Sequence, residues 1–207
     1  MSLTRRDALF KCLALGFITT ASSARASELL EAFEEKQSSK ATPEAVLGPF
    51  YKKGAPQSAS LRIPNEPGMP LRVRGRVFDT SGAILQQASV EVWHADHLGE
   101  YDVAGYQHRA KLISSAKGEY DFNSIMPGHY PDRVCQHIHY LVQAPGCNPL
   151  VTQMYFGSDP VFEGDPAKNF HRDPLATSAD LVRPVMLVGD PKTIEASVVF
   201  DVILERL

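Results

Sequence analysis

The chain has 207 residues, of which 43% are hydrophobic and 22% charged, as is usual for a soluble globular protein with one sizeable core. Its net charge of -3 gives no reason to expect nucleic acid or an anionic membrane as a partner. The sequence contains no Gly-x-Ser-x-Gly elbow, P-loop or dinucleotide fingerprint. No motif therefore supports a hydrolase, a nucleotide-binding protein or a nicotinamide-dependent enzyme.

The first 26 residues are predicted to be a signal peptide. Thr4-Arg5-Arg6 precedes an apolar stretch at 13–18, and Ala24-Arg25-Ala26 forms an A-x-A cleavage site. The paired arginines favour the twin-arginine route, which exports folded proteins, and an ordinary secretory signal is the alternative. The apolar stretch is too short to span a membrane. We therefore expect an exported, periplasmic or secreted protein whose mature form has no membrane anchor.

Residues 27–70 are predicted to form a short N-terminal helix and an irregular arm. The segment 27–40, SELLEAFEEKQSSK, contains helix formers and has acidic residues in its first turns, where they favour a helix. Residues 52–70 are rich in Pro, Gly and Ser, which favour irregular structure.

Alternation with a period of two dominates residues 71–207 and predicts an all-β domain. In residues 71–77, for example, apolar or small residues alternate with arginines. The predicted strands are 71–77, 90–92, 120–122, 137–142, 152–156, 182–188 and 196–204. Seven or so short strands separated by Gly and Pro turns are typical of a β-sandwich.

Two cysteines, Cys135 and Cys147, lie in this domain and flank the predicted strand 137–142. About eight extended residues span ~26 Å, whereas a disulfide needs Cα atoms within ~7 Å of each other. We therefore predict two free thiols, even though an exported protein could carry a disulfide.

Two histidines and two tyrosines stand at spacings that suit one metal ion. His137 and His139 are at i and i+2 of an apolar strand, so both side chains project from one face. Tyr101 and Tyr130 lie in Gly-x-Tyr and Pro-Gly-x-Tyr loops. Imidazole with anionic oxygen suits iron better than a thiolate-seeking metal, and a trivalent cation can hold a tyrosine deprotonated far below its usual pKa of ~10. The alternatives are histidines on an exposed strand face and ordinary amphipathic tyrosines at a rim.

Several separated motifs agree in order and spacing with one enzyme family. They are Thr42-Pro43-Glu44, Gly48-Pro49-Phe50-Tyr51, Val73-Arg74-Gly75, Val90-Glu91-Val92-Trp93, Gly99-Glu100-Tyr101, Pro127-Gly128-His129-Tyr130-Pro131, His137-Ile138-His139 and Thr152-Gln153-Met154-Tyr155-Phe156. Over residues 42–204 the chain resembles the intradiol ring-cleavage dioxygenases, non-haem ferric enzymes that open catechols between their two hydroxyls.

This resemblance implies one Fe(3+) per chain, with Tyr130 and His139 as axial ligands and Tyr101 and His137 as equatorial ligands. It implies a catecholic substrate and O2 as partners and a cis,cis-muconate as product. It gives Tyr130 a second role as the base that accepts a substrate proton. A homo-oligomer and a second subunit, as in protocatechuate-type relatives, both stay open.

The competing hypothesis is a non-catalytic exported β-sandwich, a binding module that retains an inherited metal site. The presence of both tyrosine ligands and both histidine ligands favours the enzyme. Visible colour of the purified protein would separate the two hypotheses, because tyrosinate-to-ferric charge transfer gives members of the family a reddish tint.

Arg133 and Gln153 are two further candidate catalytic residues. The family usually has an arginine three residues before the first histidine ligand, but Val134 occupies that position here and Arg133 precedes it. A one-residue bulge near Val134-Cys135 would turn Arg133 inward, where it would stabilise an anionic substrate and transition state, and otherwise it faces solvent. Gln153 matches a family glutamine near the iron, or is simply a polar residue at the start of a strand.

Other aromatic residues near these motifs are predicted to have supporting roles. Five further histidines are interpreted as surface residues or neighbours of the site rather than ligands: His94, His97, His108, His129 and His171. Of these, His129 is the best candidate for a contact with the site. Trp93 is predicted to pack in the core beside the site, and Tyr51 either reaches the mouth of the pocket or packs under the arm.

Overall fold

The computed structural model of the protein describes residues 40–130, 133–190 and 193–207. The predicted signal peptide, residues 1–26, and the predicted N-terminal helix lie outside the described residues. The predicted arm contains no regular strand before Pro70 and contacts the domain through isolated bridges at Gln57 and Ser60.

Strands make up most of the regular structure in the described ranges, which confirms the all-β prediction. They are β1 (Pro70–Asp79), β2 (Ser89–Trp93), β3 (Arg109–Ile113), β4 (Glu119–Ile125), β5 (His137–Gln143), β6 (Leu150–Phe156), β7 (Val182–Arg183), β8 (Met186–Val188), β9 (Glu195–Val199) and β10 (Val202–Leu204). A short helix, α1 (Pro166–Asn169), and three 3-10 turns (Pro160–Phe162, Phe170–Arg172 and Ala179–Leu181) follow β6. Within these same ranges, no helix is both long and apolar enough to cross a membrane.

The strands form two five-stranded sheets of a sandwich. In the first sheet β1 lies between antiparallel β4 and the parallel strands β9 and β10, and β8 pairs with β9. The second sheet has the order β3-β2-β5-β6-β7. Buried side chains of both sheets, such as Phe122 from the first and Ile138 from the second, belong to one apolar cluster. The histidine-bearing strand, β5, is therefore the central strand of its sheet and is paired on both sides.

Residues 182–188 do not form the single predicted strand. β7 pairs in parallel with β6 in the second sheet, whereas β8 pairs antiparallel with β9 in the first sheet. Pro184 lies between them and has no N–H to donate to a strand ladder, so a continuous strand is interrupted there. This segment connects the two layers of the sandwich.

Residues 196–204 are also divided, into β9 and β10, which follow one another along the same edge of β1. Between them the side chain of Asp201 accepts the N–H of Arg76 at 2.7 Å, so a carboxylate satisfies that backbone donor. Gly75 faces this interruption, and a Cβ atom there would overlap the carbonyl group of Phe200 and the ring of Tyr120. Glycine is therefore required at 75 by close approach of the backbone.

Cys135 and Cys147 are both buried and both free, which confirms the prediction of two thiols. They lie before and after β5, so the length of that strand separates them.

Candidate active site

The loops that carry the two tyrosines pack backbone against backbone. Gly99 has a φ of 88°, and a Cβ atom there would overlap the carbonyl group of His129. A Cβ atom on Gly128 would overlap the carbonyl group of His97. The N–H of Gly128 also donates to the carbonyl group of Asp96 at 2.7 Å. The glycines of the Gly-x-Tyr and Pro-Gly-x-Tyr motifs therefore let two distant loops meet, which brings Tyr101 and Tyr130 next to each other.

The four predicted ligands converge on one point. His139 Nε2 lies 3.1 Å from the hydroxyl oxygen of Tyr101. His137 Nε2 lies 3.5 Å from that oxygen and 3.4 Å from the hydroxyl oxygen of Tyr130. For nitrogen and oxygen donors at about 2.1 Å from one transition-metal ion, adjacent donors are about 3.0–3.4 Å apart. The donor set thus has the spacing of a single mononuclear centre.

Both imidazoles are held with Nε2 towards this point. His137 Nδ1 lies 2.8 Å from the carbonyl oxygen of Cys135, so Nδ1 carries the proton and Nε2 is unprotonated. The Trp93 indole stacks on the His139 ring at 4.9 Å with an interplanar angle of 4°. Gly48 has a φ of 75°, and a Cβ atom there would lie 3.1 Å from His139 Cε1. Trp93 is buried beside the site, as the sequence predicts.

Burial keeps all four donors uncharged in the metal-free protein. It lowers the pKa of His137 to about 4 and lowers the pKa of His139 well below its ordinary value, with nearby positive charge acting in the same direction. It also raises the pKa of Tyr101 and of Tyr130, an effect that the positive charge of Arg133 opposes. Neutral imidazole is the form that binds metal, whereas ionisation of the phenols requires a cation in the pocket.

The guanidinium group of Arg133 faces the ligands. Its side chain takes the inward one of the two predicted orientations and is buried, whereas Val134 is 46% exposed. The N–H of Arg133 donates to the carbonyl group of Tyr130 at 2.9 Å, which closes a turn. Nη1 of Arg133 lies 3.2 Å from His137 Nε2. Arg133 therefore brings positive charge directly to the donor cluster.

Gln153 lies behind Arg133 in the interior of β6. It pairs with His139 across β5 and β6 and is fully buried. Its Oε1 accepts Nη2 of Arg133 at 2.8 Å, and its Nε2 donates to the carbonyl group of Val46 at 2.7 Å. Gln153 thus joins the arm to the guanidinium group.

Four residues that the sequence analysis did not assign to the site also surround it. The Phe50 ring stacks on the Tyr101 ring at 4.2 Å, and the Phe50 carbonyl group accepts Nη1 of Arg109 at 2.5 Å. Asp173 and Tyr155 both contact Arg133. Phe50 and Tyr155 stand within the motifs that carry the resemblance, whereas Asp173 and Arg109 had no periodic or motif signal.

Two of the remaining histidines, His94 and His108, are buried, which excludes the surface role for them and leaves the other predicted role, that of neighbours of the site. His94 and His108 stack on each other at 5.0 Å, and His108 pairs with Glu66 at 2.8 Å. Burial lowers the pKa of His94 to about 3. The arm and the strands β2 and β3 pack around these two histidines and bury them. Spacing along the chain did not indicate this packing.

Two other aromatic residues support the site from outside. His129 Nε2 contacts the carboxylate of Asp159 at 2.9 Å, and the same oxygen of Asp159 accepts the N–H of Gln136 at 2.8 Å. Asp159 therefore links His129 to Gln136, the residue before β5. The hydroxyl group of Tyr51 donates to Glu91 at 3.1 Å, and its ring lies 5.1 Å from that of Trp93.

Comparison with known proteins places this arrangement in context. The sequence profile of the family described as Dioxygenase matches residues 46–206. The chain is 36% identical to catechol 1,2-dioxygenase 2 of Acinetobacter lwoffii over 60% of this chain and 54% of that protein. It is 32% identical to chlorocatechol 1,2-dioxygenase of Rhodococcus opacus over 70% of this chain and 65% of that protein. The chain therefore spans between half and two thirds of the length of these curated relatives.

A solved structure is similar over its whole length. The dioxygenase domain of a dioxygenase and carbohydrate-binding protein fusion from Streptomyces sp. SirexAA-E is 32% identical, with a TM-score of 0.70. The match covers 81% of this chain and 100% of that domain.

Proposed function

The chain belongs to the intradiol ring-cleavage dioxygenase family, and on that premise we propose that it opens a catechol-type ring between the two hydroxyls with O2, giving a cis,cis-muconate. The observation that carries the proposal is the convergence of two imidazole nitrogens and two phenol oxygens, which are linked by three nitrogen–oxygen distances of 3.1–3.5 Å. The names of the relatives, which include catechol, chlorocatechol and hydroxyquinol 1,2-dioxygenases, support a catecholic substrate class.

We assign one ferric ion to Tyr101, Tyr130, His137 and His139. Two neutral imidazoles and two phenols that ionise on binding are a donor set suited to iron. Within residues 40–130, 133–190 and 193–207, no group of three or more His, Cys, Asp or Glu side chains is arranged to hold a metal. When bound, the ion would withdraw electron density from a chelated catechol and make its ring reactive towards O2.

Tyr130 acts as a ligand and then as a base. With the ion bound, Tyr130 would be one of its ligands, and its phenolate oxygen would accept a proton from a substrate hydroxyl. Because burial raises the pKa of Tyr130, the released phenolate is a strong proton acceptor in this pocket. Phe50 stacks face to face on the Tyr101 ring at 4.2 Å but meets the Tyr130 ring edge-on at 6.2 Å, so Tyr101 is the more tightly packed of the two. This difference in packing supports giving the mobile role to Tyr130.

Arg133 supplies a positive charge to the site, and Gln153 holds the guanidinium group that carries it. Nη1 of Arg133 faces the donor cluster from 3.2 Å away, where it would stabilise negative charge on the bound substrate and in the transition state. Gln153 is hydrogen-bonded to Arg133 and to the backbone of the arm, so it helps to fix the guanidinium group and to keep water out of the pocket.

A substrate panel tests this function. Iron-loaded protein is incubated with catechol, chlorocatechol, hydroxyquinol and protocatechuate, and products are identified by mass and by O2 uptake. We expect at least one ring-opened dicarboxylic acid with the mass of substrate plus one O2. If a protein with one iron per chain takes up no O2 with any of the catechols, the proposed enzymatic function is contradicted and the non-catalytic binding module is favoured.

We also propose that residues 1–26 direct export by the twin-arginine route. The support is the Arg5-Arg6 pair and the Ala24-Arg25-Ala26 site in the sequence. In a bacterial host we expect periplasmic or secreted protein whose mass corresponds to a start at Ser27, and loss of export when both arginines are replaced by lysine. Export of the double-lysine protein at the wild-type level would indicate an ordinary secretory signal.

A further inference from the structure

The carboxylate of Asp173 is fixed in position before it meets Arg133. Asp173 is 1% exposed and follows the 3-10 turn Phe170–Arg172. One carboxylate oxygen accepts the N–H of Leu175 at 2.9 Å, and the carbonyl group of Asp173 accepts the N–H of Ala176 at 3.0 Å. This loop therefore holds the carboxylate independently of Arg133.

The other carboxylate oxygen of Asp173 accepts two donors from Arg133, Nε at 3.3 Å and Nη2 at 3.2 Å. Nη2 also donates to Gln153 Oε1 at 2.8 Å and to the hydroxyl group of Tyr155 at 3.0 Å. Three acceptors thus hold the Nε and Nη2 edge of the planar guanidinium group. These contacts orient the group, and its third nitrogen, Nη1, lies 3.2 Å from His137 Nε2.

Arg133 needs such an anchor because it lies outside β5. A turn closed by its N–H and the carbonyl group of Tyr130 precedes the strand, so strand register does not set the direction of its side chain. A buried guanidinium group also requires a counter-charge, and Asp173 forms an ion pair with it in which both side chains are at most 5% exposed.

We infer that Asp173 is a positioning residue for the reaction, and that its carboxylate aims Nη1 of Arg133 at the reacting ligands. This inference rests on the proposed function. It predicts that Asp173 affects turnover only through Arg133, whereas an ion pair that served the fold alone would affect stability and leave turnover per folded, iron-loaded molecule unchanged.

A double-mutant cycle on turnover tests the inference. Asp173→Asn should lower kcat at least tenfold and change KM less than threefold, with iron content and the tyrosinate charge-transfer band retained. In an Arg133→Ala background the same change should alter kcat less than threefold. Asp121→Asn is the matched control, because Asp121 pairs with Arg72 on the surface, and it should leave kcat unchanged. Equal losses in both backgrounds, or kcat of Asp173→Asn within threefold of wild type, would overturn the inference.

Asp173→Glu covers the case in which the asparagine variant does not fold. It keeps the buried charge but lengthens the side chain by one methylene, so it should displace the guanidinium group and lower kcat at least tenfold while the folded, iron-loaded protein persists. Wild-type kcat in that variant would overturn the inference.

Urea unfolding of the iron-free proteins gives a readout that is independent of activity. Asp173→Asn and Arg133→Ala should each raise the ratio of unfolded to folded protein. The increase in the double mutant should be at least tenfold smaller than the product of the two single increases. Purely multiplicative effects would show that the two residues are uncoupled and would overturn the inference. An inactive iron-loaded wild type would instead refute the proposed function, and the positioning role would fall with it.

Discussion

Acidification of the iron-free protein should remove stability because buried histidines, His94, His137 and His139, resist protonation in the folded state. Burial lowers the pKa of His137 from 6.5 to about 4 and that of His94 from 6.5 to about 3. The folded-state pKa lies below that of the unfolded chain, so the unfolded chain binds protons first. Stability is therefore complete above about pH 6.5 and falls as the pH decreases towards 4 and then 3.

The size of the loss follows from the shifts. One pKa unit corresponds to about 1.4 kcal/mol, so the shift of His137 is equivalent to roughly 3 kcal/mol and that of His94 to roughly 5 kcal/mol. A domain of ordinary stability has about 5–15 kcal/mol in total. Protonation of these two side chains alone would therefore remove a large part of the free energy of unfolding.

Urea unfolding of the iron-free protein at steps between pH 7 and pH 4 measures this loss. His137→Asn removes one of these buried bases, so its stability should fall by roughly 3 kcal/mol less than that of the wild type over the same range. Carboxylates titrate alike in the two proteins and cancel in the comparison. Equal losses in both proteins would refute the inference that His137 is buried in its neutral form.

Four other substitutions give sharp outcomes. Tyr130→Phe should keep the fold and much of the iron but lower kcat about 10²-fold or more, and near-normal turnover in iron-replete protein would rule out its role as base. His139→Ala should abolish stoichiometric iron binding, measured by metal analysis, and a fully loaded variant would show that the ligand set is wrong. Arg133→Ala should lower kcat by about 10² to 10³, since it removes one electrostatic donor, and a loss below about threefold would reject that role. Gly99→Ala should reduce iron binding, because its Cβ atom would force the tyrosine loops apart, and normal iron content would contradict that packing argument.

The sequence was most informative where local geometry decides the outcome. Alternation with a period of two located most strands, and the i, i+2 spacing of His137 and His139 fixed a shared face because strand geometry leaves no other choice. Tyr101 and Tyr130 were indicated by motifs shared with the family, and the structure adds the physical reason for the glycines, since the two loops can approach only where side chains are absent.

Other features depend on contacts between distant segments, which spacing along the chain does not encode. β3 was not among the predicted strands, although RAKLI alternates charged and apolar residues as residues 71–77 do. Arg109 is buried where it donates to the carbonyl groups of Phe50 and Asp102, which its position in the sequence does not indicate. Asp173 lies forty residues from Arg133 in a loop without periodicity. The split of residues 182–188 required knowing that β7 and β8 belong to different sheets.

A single turnover tests the central claim most directly. Protein loaded with one ferric ion per chain is mixed with catechol without O2, its charge-transfer spectrum is recorded, and one pulse of O2 is added. We predict that catechol changes the spectrum and that each iron yields one muconate-type dicarboxylic acid, the product of cleavage between the two hydroxyls. Cleavage of the ring beside the hydroxyls would contradict the account. So would an iron-loaded protein whose spectrum is unchanged by catechol and which consumes no O2.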